Sequence, residues 1–399
     1  MRVRPRLPGY LPAALLACLA LSLVPGPAAA DQAASQLRRE MAGLLAHSAL
    51  RGARVGAYVV SLPEGEVLYS LNPRLAFVPA STMKLVVSAT ALRLLGADFV
   101  YDTSVWGLAT PVGGGVMPGD LVVTGTADPT ARASLYDDLA RRLKAQGLTR
   151  VKGNIVGVGV VAAGERQDGG LSAARALHAA LGRKGISVTG QAVAGQMIPS
   201  AHLLSRQPST TLRAYLRTVN LQSDNDRAEL LLRSLTSIFG RPGDASHGFV
   251  RELWQEANVD VSGLELVEGS GLSHQDKLTP RFLAEMLVAM VAEERQLQAL
   301  VESLPVAGAQ GTLADRMRDT VAAGRVYAKT GTLLKASGLA GYVRVRGQTR
   351  LAFALMMNDY SCSVTKVRNI QDLAAIAMTR YALSRPPMTS GANGALAVR

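Results

Sequence analysis

Phe77-Val78-Pro79-Ala80-Ser81-Thr82-Met83-Lys84-Leu85-Val86-Val87 decides how the rest of this 399-residue chain is read. A proline-marked entry runs into an apolar stretch reaching Leu95, which predicts an apolar helix beginning at Ser81. Lys84 lies three residues after Ser81, so both side chains fall on one helix face. Two further signals follow in order, Ser223-Asp224-Asn225 and Lys329-Thr330-Gly331. Each is cheap alone. A second S-x-x-K stands at Ser363-Val364-Thr365-Lys366 and a second S-x-N at Ser70-Leu71-Asn72, whereas K-T-G occurs once. Only one choice of hits gives the order S-x-x-K, S-x-N, K-T-G with each motif in a suitable local setting.

Working outward, Gln32 to His47 has helical periodicity, and Val55–Val60 and Val67–Ser70 read as strands joined by the turn Pro63-Glu64-Gly65. Near the other end, Arg325 to Lys329, Leu339 to Val345 and Leu351 to Asn358 read as strands, and Val367 to Leu383 as a closing helix. A sheet assembled from both ends of the chain, with helices between, is the implied architecture. The middle differs. Helices around Leu135–Ala145 and Leu171–Gly182 each lead through a glycine to short strands, at Val151–Gly157 and Ile186–Val193. Two similar units predict a small α/β insert at residues 101–208, although chance similarity of two αβ units would look the same. The remaining spans, 31–100 and 209–385, then form one domain, and the Pro/Gly/Ser/Ala-rich residues 386–399 a disordered tail.

Arg2, Arg4 and Arg6, the apolar run Leu11 to Val24 and Ala28-Ala29-Ala30 read as a secretory signal peptide cut before Asp31. The apolar run is short for a membrane span, so no transmembrane anchor is expected after cleavage. Removing three arginines and no acids lowers the formal charge from +13 to +10. A basic surface on an exported protein suits anionic wall polymers or membrane, or no specific partner at all. No Lys/Arg run interleaved with aromatics marks a nucleic-acid face. Cys18 leaves with the signal, so Cys362 has no disulfide partner within the chain. The five histidines are scattered, with no pair at metal-ligand spacing, and no cofactor is called for.

The motif residues point to nucleophilic catalysis. A serine hydroxyl needs a base to attack a carbonyl carbon at neutral pH, and a lysine serves when burial disfavours its ammonium form. Ser81 is thus the candidate nucleophile and Lys84 its base; an N-cap serine with a solvated lysine would show the same spacing. Ser223 is placed to relay a proton between Lys84 and a leaving amine, and the Asn225 amide to hold a substrate carbonyl. Helix capping by Asp224 or Asn225 is compatible with either role. Lys329-Thr330-Gly331-Thr332 is expected to end a strand whose edge pairs with an extended peptide. Lys329 with Thr330 or Thr332 would hold a terminal carboxylate, and Gly331 would permit close backbone approach. The backbone N–H groups of Ser81 and Thr332 are the oxyanion-hole candidates.

In this combination the motifs resemble the class C low-molecular-mass penicillin-binding proteins, the D-alanyl-D-alanine carboxypeptidase/endopeptidase family. Further stretches carry the resemblance: Gly119-Asp120-Leu121 through Asp128-Pro129-Thr130, Glu268-Gly269-Ser270-Gly271-Leu272-Ser273, Ser303-Leu304-Pro305-Val306-Ala307-Gly308, Gly311-Thr312-Leu313 and Leu339-Ala340-Gly341-Tyr342. It implies a transpeptidase/β-lactamase-like α/β domain, an antiparallel sheet flanked by helices, and a periplasmic or extracytoplasmic location. It also implies an acyl-enzyme on Ser81, peptidoglycan stem peptides as substrates, and acylation by β-lactams. One departure stands out. Only 138 residues separate Lys84 from Ser223, too few for the family's two extra domains, because Val161-Ala162-Ala163-Gly164-Glu165-Arg166 turns directly into the next helix. One insert domain is therefore expected and the other absent. A β-lactamase or small-ester hydrolase is the first alternative, for which Glu265 and Glu268 are the nearest candidate deacylating acids. A catalytically idle wall-binding protein of the same fold is the second.

Overall fold

The computed structural model describes residues 27–386 except 63, 109–114, 133, 165–167, 169 and 241–246. The expected signal peptide and C-terminal tail therefore lie almost wholly outside the described residues. The first helix, α1 (Pro27–Leu45), begins four residues before the expected cut. It leads to the antiparallel hairpin β1 (Arg54–Ser61) and β2 (Val67–Leu71). After a one-turn 3-10 helix (Ala80–Thr82) comes α2 (Met83–Leu95), whose residues Met83 to Leu92 are all buried. A helix apolar on every side belongs inside a core. The predicted helix start is thus corrected: Ser81 sits in the 3-10 turn and its side chain caps nothing.

Next comes β3 (Val100–Gly107), followed by three related units. The first is β4 (Val116–Met117) and β5 (Leu121–Gly125). The second is α3 (Leu135–Ala145), β6 (Arg150–Val151) and β7 (Ile155–Val158). The third is α4 (Leu171–Arg183), β8 (Ser187–Val188) and β9 (Ala192–Ala194). Each unit gives its first strand to a parallel sheet β4-β6-β8 and its second to the parallel part of a larger sheet. With β10 (His202–Thr211), that larger sheet runs β10-β3-β5-β7-β9. The unit before α3, without a helix of its own, was not legible as a repeat. The units are laced by side chains at one equivalent position. Asp120 Oδ1 accepts from Asn154 N–H (2.6 Å), and Asn154 Oδ1 accepts from Gln191 N–H (2.9 Å). The glycine before each rung is required by contact: a Cβ on Gly153 would lie 2.2 Å from Asp120 Oδ1. A separate core, including Val105, Leu139, Ile155 and Leu177, fills the space between these strands and helices.

The chain then forms α5 (Leu212–Leu221), α6 (Asn225–Phe239), α7 (Gly248–Glu256), α8 (Pro280–Ala289) and α9 (Glu294–Ser303). It closes with β11 (Val326–Leu333), β12 (Ala336–Val345), β13 (Gln348–Asn358) and α10 (Val364–Ser384). The main sheet is antiparallel in the order β11-β12-β13-β1-β2, so the N-terminal hairpin joins strands from the far end of the chain. Alternate residues feed two cores. Tyr58, Val60, Ala354 and Met356 face α2 and the middle helices, while Val59, Phe353, Leu355 and Met357 face α1 and α10. Burial on both faces explains why β1 and β13 read as nearly unbroken apolar runs. K-T-G lies within β11, not at its end as expected, since that strand pairs with β12 without a register shift through Leu333. β11 is one edge of the sheet and β2 the other. Pro305 to Ala307 covers the first half of β11, with Ala328 N–H donating to Pro305 O and Ala307 N–H to Val326 O.

Candidate active site

Three backbone constraints present Ser81. Ala80 adopts a left-handed φ of +49° in a fully buried position, a strained conformation for a residue with a Cβ. Gly271 packs against it, and a Cβ there would lie 1.9 Å from Ala80 O. On the other side Gly331 meets the same turn, where a Cβ would lie 2.7 Å from Pro79 O. The close approach expected of Gly331 is thus to the serine turn itself.

Lys84 is wholly buried in α2, and its ammonium is held by three acceptors. It donates to Ser81 Oγ (3.0 Å), Asn225 Oδ1 (2.8 Å) and the Ser270 carbonyl (2.5 Å). Burial pushes its pKa down to about 8, against the opposing pull of Glu268 and Asp224. A fraction of Lys84 is then free base near neutral pH, one hydrogen bond from the hydroxyl it would deprotonate.

Ser223 sits in the turn between α5 and α6 with a left-handed φ of +57°. Asp224 takes the capping role, its Oδ1 accepting from Arg227 N–H at 3.0 Å. That leaves the Ser223 hydroxyl to accept from Lys329 Nζ at 2.9 Å. Lys329 is fully buried and also donates to Thr330 O (2.9 Å). Burial, reinforced by Lys84, pushes its pKa down to about 7. Asn225 Oδ1 accepts from Lys84 Nζ, so any further contact of this amide is made through its two N–H donors.

On β11, Ala328 N–H points outward to Pro305, so the period of two makes the Thr330 and Thr332 N–H groups point outward as well. Thr332 is exposed. The structure therefore gathers Ser81, Lys84, Ser223, Asn225 and Lys329 into one hydrogen-bonded group, with Thr330, Gly331 and Thr332 on the adjoining edge. Sequence reasoning missed the Ser270 carbonyl, and it named Glu268 only as a candidate deacylating acid of the β-lactamase alternative, not as a loop anchor. The Glu268 carboxylate accepts from the N–H groups of Ser270 (2.9 Å), Leu272 (2.5 Å) and Ser273 (3.1 Å), fixing the loop that supplies Ser270 O. It also missed Thr312, whose hydroxyl meets Thr330 Oγ1 at 2.7 Å, and Arg368, which donates to Thr332 Oγ1 at 3.2 Å. The run containing Thr312 was visible as a family-like stretch without an assigned role; nothing flagged Arg368. The spare motifs have structural work: Ser363 caps α10, and Asn72 Nδ2 donates to Val55 O (2.8 Å). Among the described residues no cluster of histidine, cysteine or carboxylates could hold a metal ion.

The model of the D-Ala-D-Ala carboxypeptidase 3 (S13) family matches residues 37–171 and 164–380, which include all three motifs. The chain belongs to this family of serine peptidases. It is 28% identical to the D-alanyl-D-alanine carboxypeptidase of Actinomadura sp. (strain R39), across 90% of this chain and 88% of that one. It is 31% identical to carboxypeptidase DacB of Mycolicibacterium smegmatis, across 84% and 85% of the two chains. In fold it resembles penicillin binding protein 4 of Haemophilus influenzae, crystallised with a β-lactam. There the TM-score is 0.66 at 21% identity, covering 86% of this chain and 99% of that one. The expected family and fold class, an antiparallel sheet flanked by helices with an α/β insert, are borne out. The activity is that of a serine DD-peptidase.

Proposed function

We propose that Ser81 attacks the carbonyl between the last two D-alanines of a peptidoglycan stem peptide. The observation carrying this is the 3.0 Å contact between Ser81 Oγ and the buried, pKa-lowered Lys84. As the Ser81 oxygen forms its bond to the carbonyl carbon, Lys84 takes the hydroxyl proton. The N–H groups of Ser81 and Thr332 hold the oxyanion, the latter supported by its outward direction on the open edge. Ser223, kept in place by Lys329, passes a proton to the nitrogen, the C–N bond breaks and D-alanine leaves. Water then hydrolyses the ester and Ser81 regains its proton. Asn225 holds the substrate's peptide carbonyl through its free amide donors. Thr330 and Thr332 on the open edge receive the terminal carboxylate, the position first expected for Lys329, whose ammonium is taken up by Ser223 Oγ and Thr330 O. Gly331 brings the strand against the nucleophile's turn. Cross-linked D-alanyl peptides are further substrates of the same site.

β-Lactams acylate Ser81 by the same attack, but the amine stays tethered when the ring opens. The three N–H bonds to Glu268 tie that carboxylate to its own loop, which speaks against its activating a deacylating water. We place the protein outside the cytoplasmic membrane, with residues 1–30 as its export signal. Among the described residues no helix is long and apolar enough to span a membrane. We read residues 101–208 as a single inserted domain. The family match is split where a second insert would leave the chain, its two pieces overlapping at residues 164–171.

The test is to add benzylpenicillin to the mature protein and to Ser81→Ala and follow intact mass. A long-lived adduct in the wild type alone supports the peptidase. Rapid turnover without an adduct indicates a β-lactamase, and no reaction indicates an idle scaffold.

A further inference from the structure

The free half of β11 carries more than its backbone. Thr330 and Thr332 are two residues apart and so share one side of the strand. Thr330 Oγ1 meets Thr312 Oγ1 at 2.7 Å, and Thr332 Oγ1 accepts from Arg368 Nη2 at 3.2 Å. Three hydroxyls and a guanidinium thus line the edge where the terminal carboxylate is to sit. Lys329, the cation assigned there from sequence, is buried with its ammonium committed to Ser223 Oγ and Thr330 O.

Arg368 is built for a different use from the neighbouring arginine. Arg316 pairs with Asp372 at 2.7 Å in a mostly buried contact and also donates to the Arg368 carbonyl (3.2 Å). Gln371 of the same helix donates to the buried Ser337 Oγ (3.1 Å). These bonds fix the start of α10 against β12 and engage Asp372, the acid one turn from Arg368. Among the described residues Arg368 has no carboxylate within ion-pair distance, and its one side-chain hydrogen bond is to Thr332. Asp372 feels the Arg368 charge from a distance, but its ion pair is with Arg316. A positioned guanidinium without an ion-pair partner, beside two threonine hydroxyls, matches a planar carboxylate, to which arginine can donate two bonds at once.

We propose that Arg368 is a specificity-determining residue that recognises the free C-terminal carboxylate of the substrate, with Thr332 holding its guanidinium on the edge. The inference rests on the proposed peptidase reading. It divides labour between the two cations: Lys329 organises the Ser223 relay from within, while Arg368 reads the substrate's end from the surface.

The experiment compares a diacetylated Lys-D-Ala-D-Ala peptide with its C-terminal carboxamide, on wild type, Arg368→Gln and Arg368→Lys. For the acid, Arg368→Gln is expected to lower kcat/KM roughly ten- to hundredfold, the range of a hydrogen bond to a charged group. The carboxamide should change by less than about threefold, which also reports an intact fold. Arg368→Lys should recover part of the loss, keeping the charge without the fork. Equal losses on both peptides, or none on the acid, overturn the role of Arg368 while wild-type turnover upholds the peptidase. Absence of wild-type turnover on both peptides, with no adduct from benzylpenicillin, overturns the peptidase reading and this inference with it.

Discussion

Ser81-Thr82-Met83-Lys84 and Ser363-Val364-Thr365-Lys366 each stand at the start of a helix with the lysine one turn after the serine. At the second, Ser363 has extended backbone (φ −68°, ψ 148°), its hydroxyl caps Lys366 N–H at 3.4 Å, and the Lys366 side chain is in water. At the first, a left-handed Ala80 and a 3-10 turn take the cap geometry away, leaving the Ser81 hydroxyl to face Lys84. Lys84 is fully buried and its hydrogen-bond acceptors are all uncharged, with the carboxylates of Glu268 and Asp224 acting on it from further away. Spacing brings the two groups near each other. The difference in their surroundings comes from the elements packed around the first pair: α6, the Ser270 loop and β11.

The contrast is breakable at several levels. The largest effect is at the serines: Ser81→Ala should abolish the benzylpenicillin adduct, while Ser363→Ala labels like wild type. An adduct on Ser363 in the Ser81→Ala protein would reverse the assignment. At the lysines, Lys84→Met should slow acylation roughly 10²- to 10⁴-fold, the usual worth of a positioned base. Its thermal midpoint should be unchanged or higher, because a buried charge is replaced by an apolar side chain. Lys366→Met should leave the acylation rate unchanged. A pH titration sharpens the point: acylation of the wild type should rise as pH passes about 8, where Lys84 becomes free base. The stability sign follows from the same shift. Between about 8 and the ordinary lysine value, the unfolded chain holds a proton that the folded chain has released, so stability contributed by Lys84 rises with pH. Below about 8 the burial penalty is present in full. A rate independent of pH from 6 to 9 would remove Lys84 as the base. The smallest effect is the cap: Ser363→Ala should cost about 1 kcal/mol in denaturant unfolding, whereas Ser81→Ala carries no cap loss.

Local chemistry was legible. Leu135–Ala145 formed as a helix with the bounds its periodicity suggests, and the strand runs from both ends met in one sheet because both their faces are apolar. The order of the three motifs singled out the serine that the structure places against a buried lysine. What escaped is set by distant contacts. No local signal makes Ala80 left-handed; Gly271 and Gly331, far along the chain, permit it. The Ser270 carbonyl reaches Lys84 across 186 positions, and Arg368 reaches Thr332 from a helix whose own sequence shows only a surface arginine. The run of K-T-G into Leu333 depended on pairing with β12, and a polar Lys-Thr-Gly-Thr does not announce a strand by itself. The first insert unit went unseen because no helix precedes it within the repeat.

The half-covered edge of β11 has a consequence for how copies of the protein treat one another. A strand left bare so that a peptide can lie along it is equally open to a strand from another molecule. Pro305 to Ala307 closes one half, and the proposed function requires the half from Lys329 onward to stay open. The exposed Lys335 just beyond it and Arg368 beside it put positive charge at that opening on a chain already basic overall. Like charges meeting edge to edge repel over a range of about 8 Å at physiological ionic strength. Salt shortens that range, so concentrated salt is the condition in which this protein would begin to pair with itself.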